Sequence, residues 1–92
     1  MIRSFSDGES EQLFMAGKSR RFSGILVVAK RKLQVLDSTP HLNDLRLPHG
    51  NRLEALKGNR KGQHSIRIND QYRICFRWHE GDAYDVEIVD YH

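Results

Sequence analysis

The apolar positions of this chain change period once. Over roughly the first half they recur at three- and four-residue intervals, and from Arg52 onward they alternate. Phe22, Ile25, Leu26, Ala29, Leu33 and Leu36 make one stripe, with Lys30, Arg31 and Lys32 on the opposite side. That pattern predicts an amphipathic helix with a solvated basic face, capped by Ser23. A shorter helix is expected earlier. Ser6 and Glu9 have capping-box spacing, Leu13, Phe14 and Ala16 supply a buried side, and Gly17 is a natural stop. Residues 2–5 alternate as a short first strand. Thr39-Pro40 opens a third short turn carrying Leu42 and Leu45, and residues 47–51 read as loop.

In the second half Ile66 and Ile68 alternate with Ser65 and Arg67. Tyr72, Ile74, Phe76 and Trp78 alternate with Arg73, Cys75 and Arg77, and Tyr84, Val86 and Ile88 with Asp85, Glu87 and Val89. Three strands follow in sequence, each apolar on its even-numbered side. Helices first and a meander after predict an α+β domain over residues 1–92: an antiparallel sheet with the helices on one face.

Parity also predicts register. A turn at Asn69-Asp70-Gln71 pairs Ile68 with Tyr72 and Ile66 with Ile74, and sets Arg67 opposite Arg73. A second turn, around residues 79–83, pairs Trp78 with Tyr84. It then sets Arg77 opposite Asp85, Cys75 opposite Glu87 and Arg73 opposite Val89, with Tyr91 diagonal to Arg73. Arg77 thus gains an acid partner, while Arg67 and Arg73 face one another with none. Arg73 is then either an ordinary exposed strand residue or part of a phosphate clamp beside a ring on which a base can stack.

Composition adds little to this picture. The net charge is +3, which leans towards a polyanionic partner only modestly. A single cysteine, Cys75, excludes an internal disulfide and a cysteine-built metal cluster, and its apolar neighbours make it a structural thiol. No apolar run reads as a signal peptide or a membrane span, so a reducing cytoplasm is expected. His41, His49 and His79 fall in loops or turns. His64 starts a strand beside the basic loop, and no pair has metal-ligand spacing.

Leu56-Lys57-Gly58, Arg60, Gly62, Ser65-Ile66-Arg67-Ile68 and Tyr72-Arg73-Ile74 together resemble the signature of the RelE/ParE toxin superfamily. The opening Met1-Ile2-Arg3-Ser4-Phe5, Gly81-Asp82-Ala83-Tyr84 and the ending Asp90-Tyr91-His92 are similar to its HigB branch. The resemblance spans the whole chain. It implies a RelE-like fold with two N-terminal helices on one sheet face. It also implies an activity: metal-independent cleavage of messenger RNA in the ribosomal A site, without a cofactor, which inhibits translation and growth. The implied partners are the small ribosomal subunit, messenger RNA and a HigA-like helix-turn-helix antitoxin that binds operator DNA. No membrane is implied.

The family's functional positions match Lys57, Arg73, Asp90, Tyr91 and His92. One position departs: Glu54 stands where some ribosome-dependent HigB toxins carry histidine, and is either a replacement base or a plain surface glutamate. In this chemistry the 2′-hydroxyl attacks the adjacent phosphate, so a base, charge stabilisers and an acid are needed. Arg73 and Lys57 suit charge stabilisation, with Arg67 a third candidate. His92 offers an imidazole and a terminal carboxylate, either of which can accept a proton. Tyr91 either stacks on a base or donates its hydroxyl, and Asp90 either orients these groups or supports the strand end. Arg60 and Lys61 are expected on ribosomal RNA backbone. ParE relatives that inhibit DNA gyrase without RNA chemistry are the alternative.

Overall fold

The computed structural model describes residues 1–91. Helix α1 spans Gly8–Ala16 and starts one residue later than the capping-box spacing suggests. Extended Asp7 accepts from the Ser10 amide at 3.3 Å, which satisfies an orphan N–H and places negative charge at the helix's positive end. Ser6 is drawn to the sheet instead, its hydroxyl donating to the Asp85 carbonyl at 3.0 Å. Gly17 ends the helix at φ 68°, its N–H returning to Leu13 O, a left-handed cap that suits glycine. The buried face centres on Ser10, Leu13 and Phe14. This turns Ala16 to solvent, against the sequence expectation.

Helix α2 spans Leu26–Ser38 and is entered through a 3-10 turn at Ser23–Ile25. Ser23 makes no cap. The anchor is Phe22, which is buried, with its N–H held by Ser19 Oγ at 3.0 Å. Ala29, Leu33 and Leu36 form the predicted buried stripe. Lys32 departs from the solvated basic face. Its Nζ bonds to Oδ1 of fully buried Asn51, whose Nδ2 donates to the Leu45 and Leu47 carbonyls at 3.2 Å each. Burial pushes the Lys32 ammonium down from its ordinary pKa, and the charges of Arg31 and Arg67 add to the effect. This junction joins α2 to the 3-10 turns Leu42–Arg46 and His49–Asn51.

The sheet has four strands, all in the second half of the chain, where three were expected. They are β1 (Glu54–Ala55), β2 (His64–Arg67), β3 (Tyr72–His79) and β4 (Asp82–Asp90), antiparallel throughout in the order β1-β2-β3-β4. Ile66, Ile74, Phe76, Val86 and Ile88 face the helices and share one core with Leu13, Phe22, Leu33 and Leu36. Ile66↔Ile74, Arg67↔Arg73, Cys75↔Glu87 and Arg73↔Val89 pair as parity requires. Residues 1–6 make no regular strand. They run parallel along β4 through bridges Ile2↔Ala83 and Phe5↔Val86, covering an edge otherwise open to another chain. Among the described residues no helix is long and apolar enough to cross a membrane.

The predicted register fails beyond Cys75. Trp78 pairs with Ala83 and Arg77 with Tyr84, one residue out of step. The cause is a bulge at Asp85, which adopts φ 53° and inserts one extra residue into β4. Ser4 holds the bulge, its Oγ accepting from the Asp85 amide at 2.8 Å. Ala83, not Tyr84, therefore enters the core, while Arg77 Nε still reaches Asp85 Oδ2 at 3.4 Å. A β-branched residue tolerates left-handed backbone poorly, so Asp85→Val should lose about 1–2 kcal/mol of stability. Asp85→Gly should remain within about 1 kcal/mol of wild type. Urea unfolding midpoints at unchanged slope test this; equal stability of the two variants would argue against a left-handed bulge.

Candidate functional site

The helix-free face carries the odd-numbered residues of β2 and β3, and its centre is Arg73. The side chain lies across β2, and the residue is only 8% exposed. A guanidinium so removed from water needs acceptors, and three elements supply them. Nε donates to Ser65 Oγ at 2.7 Å. Nη2 donates to the Arg52 carbonyl at 2.6 Å and lies 3.4 Å from both Ser65 O and Glu54 Oε1. Arg52 takes the left-handed conformation (φ 46°) as it leaves the His49–Asn51 turn. Tyr91 lies on the same face, with the Arg73 guanidinium carbon 5.8 Å from its ring centroid, close enough for cation–π attraction.

These groups open onto a shallow depression of about 240 Å³ lined by Arg52, Glu54, Arg67, Asn69, Asp70, Arg73 and Tyr91. Three guanidinium groups meet two carboxylates, so the lining keeps a net positive charge. The expectation that Arg67 and Arg73 lack acid partners is corrected here: Arg67 Nη2 pairs with Asp70, and Arg73 with Glu54. Two like charges set opposite one another recruit the nearest acids, one from the turn and one from the neighbouring strand. Both acids remain accessible. The Glu54 side chain is half exposed, and that of Asp70 is fully exposed.

The structure thus brings Glu54, Arg67, Arg73 and Tyr91 together. It does not bring the glycine-punctuated loop to them. Arg60 Nη1 donates to Glu87 Oε1 at 2.7 Å and to Gln63 Oε1 at 3.0 Å, and the Glu87 hydrogen bond raises its pKa. These bonds tether the loop over β4. Gly62 belongs to the same roof: at φ 93°, a Cβ there would stand 2.9 Å from Arg77 Nη1. Lys57 and Lys61 are exposed beside this roof and do not line the depression. Asp90 accepts from Gln71 Nε2 at 3.0 Å, and the Tyr91 amide donates to Gln71 O at 2.6 Å, so both are fastened to the β2–β3 turn. His92 lies outside the described residues.

Sequence reasoning missed Arg52, Ser65, Asn69 and Asp70. A signal existed for two of them. Arg52 shares parity with Glu54, and Asp70 stands three residues after Arg67. Among the described residues no three histidine, cysteine or acidic side chains group to hold a metal ion.

A helix-backed antiparallel sheet with a guanidinium cluster and a tyrosine on its bare face defines a small α+β protein with a net-positive depression on that face. Residues 3–92 match the family described as RelE-like toxin of type II toxin-antitoxin system HigB, and the chain belongs to that family. It is 45% identical over 85 residues to Toxin HigB-1 of Vibrio cholerae serotype O1, covering 90% of each chain. It is 32% identical to Endoribonuclease HigB of Proteus vulgaris, covering all of both. Its fold is similar to that of YoeB in the YoeB-YefM complex from Staphylococcus aureus (TM-score 0.61, 17% identity, 100% and 98% coverage). A YafQ mutant from E. coli is a second structural neighbour (TM-score 0.62, 13% identity, 98% and 93% coverage).

Cys75 sits beneath the roof and is fully buried. Burial pushes its thiol up, Glu87 and Glu54 add to the shift, and Arg60 and Arg73 oppose it. A raised pKa leaves less thiolate near neutrality. Native protein at pH 8 should therefore react with an aromatic disulfide reagent only as fast as it opens, and fully once unfolded in urea. Rapid labelling of the folded protein would contradict the burial argument.

Proposed function

We propose that this toxin is an endoribonuclease that cuts messenger RNA in the A site of the small ribosomal subunit, in the cytoplasm, and so stops translation. The observation that carries this reading is the Arg73 guanidinium. It is fixed by Ser65 and Arg52 before any substrate arrives, beside Tyr91 and above a net-positive depression. Preorganised donors aimed at developing charge are worth most in a site that has already excluded water. The name of the Proteus vulgaris relative, an endoribonuclease, supports the same reading.

The reaction assigned to these residues is internal transfer. The 2′-oxygen gives its proton to a base and attacks the adjacent phosphorus. The bond to the 5′-oxygen breaks, that oxygen takes a proton, and a cyclic phosphate and a 5′-hydroxyl remain. The nucleophile is part of the substrate, so the protein needs only proton carriers and cations. Arg73 holds the phosphorane oxygens, with Arg67 as a further cation in the depression, and Lys57 meets the RNA from outside it. Glu54, half exposed in the depression beside Arg73, acts as the base. His92 is the second proton carrier, and Tyr91 stacks on the base next to the scissile phosphate. Asp90, bonded to Gln71, supports the strand end that presents them.

Membership of a toxin–antitoxin family supplies a partner antitoxin. We assign its seat to the helical side, away from Arg73, where Met15 and Val27 are more than two-thirds exposed. Binding operator DNA is left to the antitoxin.

The test mixes purified protein with programmed ribosomes, and separately with naked RNA, and sequences the ends produced. Cuts within the A-site codon are expected only on ribosomes. Arg73→Ala should lower the single-turnover rate by about 100- to 1,000-fold, and removal of His92 should also abolish growth arrest. Thermal unfolding run in parallel separates lost chemistry from lost fold. Inhibition of gyrase supercoiling with no RNA ends would replace this reading with the ParE-like one.

A further inference from the structure

Most arginines near the sheet are matched to acids: Arg3 to Asp82, Arg60 to Glu87, Arg67 to Asp70, Arg73 to Glu54 and Arg77 to Asp85. Arg21 is different. It is exposed, forms no ion pair among the described residues, and lies 5.1 Å over the Phe22 ring. Phe22 is itself buried and packs edge-on against Tyr72, with centroids 5.7 Å apart. The guanidinium therefore rests on a stack anchored in the core, and less of its freedom remains to be lost on binding.

Arg21 lines a polar depression of about 320 Å³ together with Gly24, Asn69, Gln71 and Tyr72, and no carboxylate lines it. Asn69 also lines the Arg73 depression. Its Oδ1 is engaged by the Gln71 and Tyr72 amides at 2.8 Å each, which leaves its Nδ2 donor without a partner among the described residues. A cation, an amide donor and a second cationic depression therefore follow one another across the β2–β3 turn.

We infer that Arg21 forms a second RNA subsite, which binds the phosphodiester backbone of a strand crossing the β2–β3 hairpin tip beside the cleavage depression. The inference rests on the nuclease reading and extends it. Arg21 touches no reacting atom, so its role is in binding: it holds flanking RNA and leaves the bond-breaking step alone.

The test is single-turnover cleavage on programmed ribosomes at varied toxin and salt concentrations. Arg21→Ala should raise the half-saturating concentration about fivefold, the upper range for one exposed charge contact, with the saturated rate unchanged. Its salt dependence should flatten by about 0.7 in log–log slope, as expected for one phosphate contact on a single strand. Arg21→Lys should restore most of the loss. Gly24→Glu places a carboxylate in the depression where an added Cβ meets nothing within 4 Å, so it should fold and reproduce the Arg21→Ala defect.

Two sources of backbone share this chemistry, and messages of two lengths separate them. If the strand is the message, truncating it at the cleaved codon removes the Arg21→Ala defect. If it is ribosomal RNA, the defect persists and also appears in binding to empty ribosomes. Wild-type half-saturation and salt slope in both Arg21→Ala and Gly24→Glu would overturn the subsite while leaving the nuclease standing. A wild type that cuts nothing would overturn both.

Discussion

A cation nine-tenths removed from water imposes its own architecture. Arg73 cannot sit on the bare face of the sheet without acceptors, and three pieces of chain supply them: Ser65 of β2, the Arg52 carbonyl and Glu54 of β1. Removing a partner from such a group costs far more than the pair contributes net. Satisfying the charge therefore fixes the relative placement of β1, β2 and the turn that precedes them. It also sets the left-handed backbone of Arg52, a conformation costing on the order of 1–2 kcal/mol that the surrounding contacts offset. Preorganisation of the site and stability of this edge of the sheet are the same set of contacts.

The ion pairs of the depression do not make it neutral ground. Glu54 is half exposed and Asp70 fully so, and pairs at such accessibility contribute little, since water screens them. They hold Arg67 and Arg73 in place against mutual repulsion while leaving a net positive lining. An incoming phosphate offers more acceptor oxygens than either carboxylate and faces more than one guanidinium at once. In the proposed reaction the acids are occupants that a better anion displaces, and displacement of Glu54 would leave a carboxylate beside the bound phosphate.

Alternation carried the sequence reading a long way for a physical reason. Ile66, Ile74 and Ile88 must all face the helices, and once they do, Arg67 stands opposite Arg73 and Tyr91 comes within reach of it. The reading failed where backbone rather than side chain decided the outcome. Nothing in Tyr84-Asp85-Val86 distinguishes a regular strand from one carrying a left-handed aspartate, so the bulge and the entry of Ala83 into the core were invisible. The Arg52 carbonyl was hidden for the same reason. The capping error at Ser6 was a competition between two acceptors one residue apart, which Asp7 won because Ser6 and Ser4 are drawn to the bulge. The acid partners lay outside the parity logic: Glu54 is even-numbered yet pairs with Ser65, because parity flips between β1 and β2, and Asp70 reaches Arg67 from within the turn.

Charge in the glycine-rich loop shows most plainly why composition alone misplaces function. Arg60, Lys57 and Lys61 read alike in sequence, yet the fold assigns them different work. Cys75 and Ser65 face away from the helices and are nevertheless buried, so this side of the sheet needs a cover. The loop supplies it, and a cover made of polar chain stays down only if something fastens it. Arg60 does so through Glu87 and Gln63. Among the described residues the lysines on either side make no such bond. An acid partner does not by itself decide the role, since Arg67 and Arg73 are paired and still line the depression; the acid of Arg60 lies on β4, under the loop it fastens, and Arg21 has no acid in its depression.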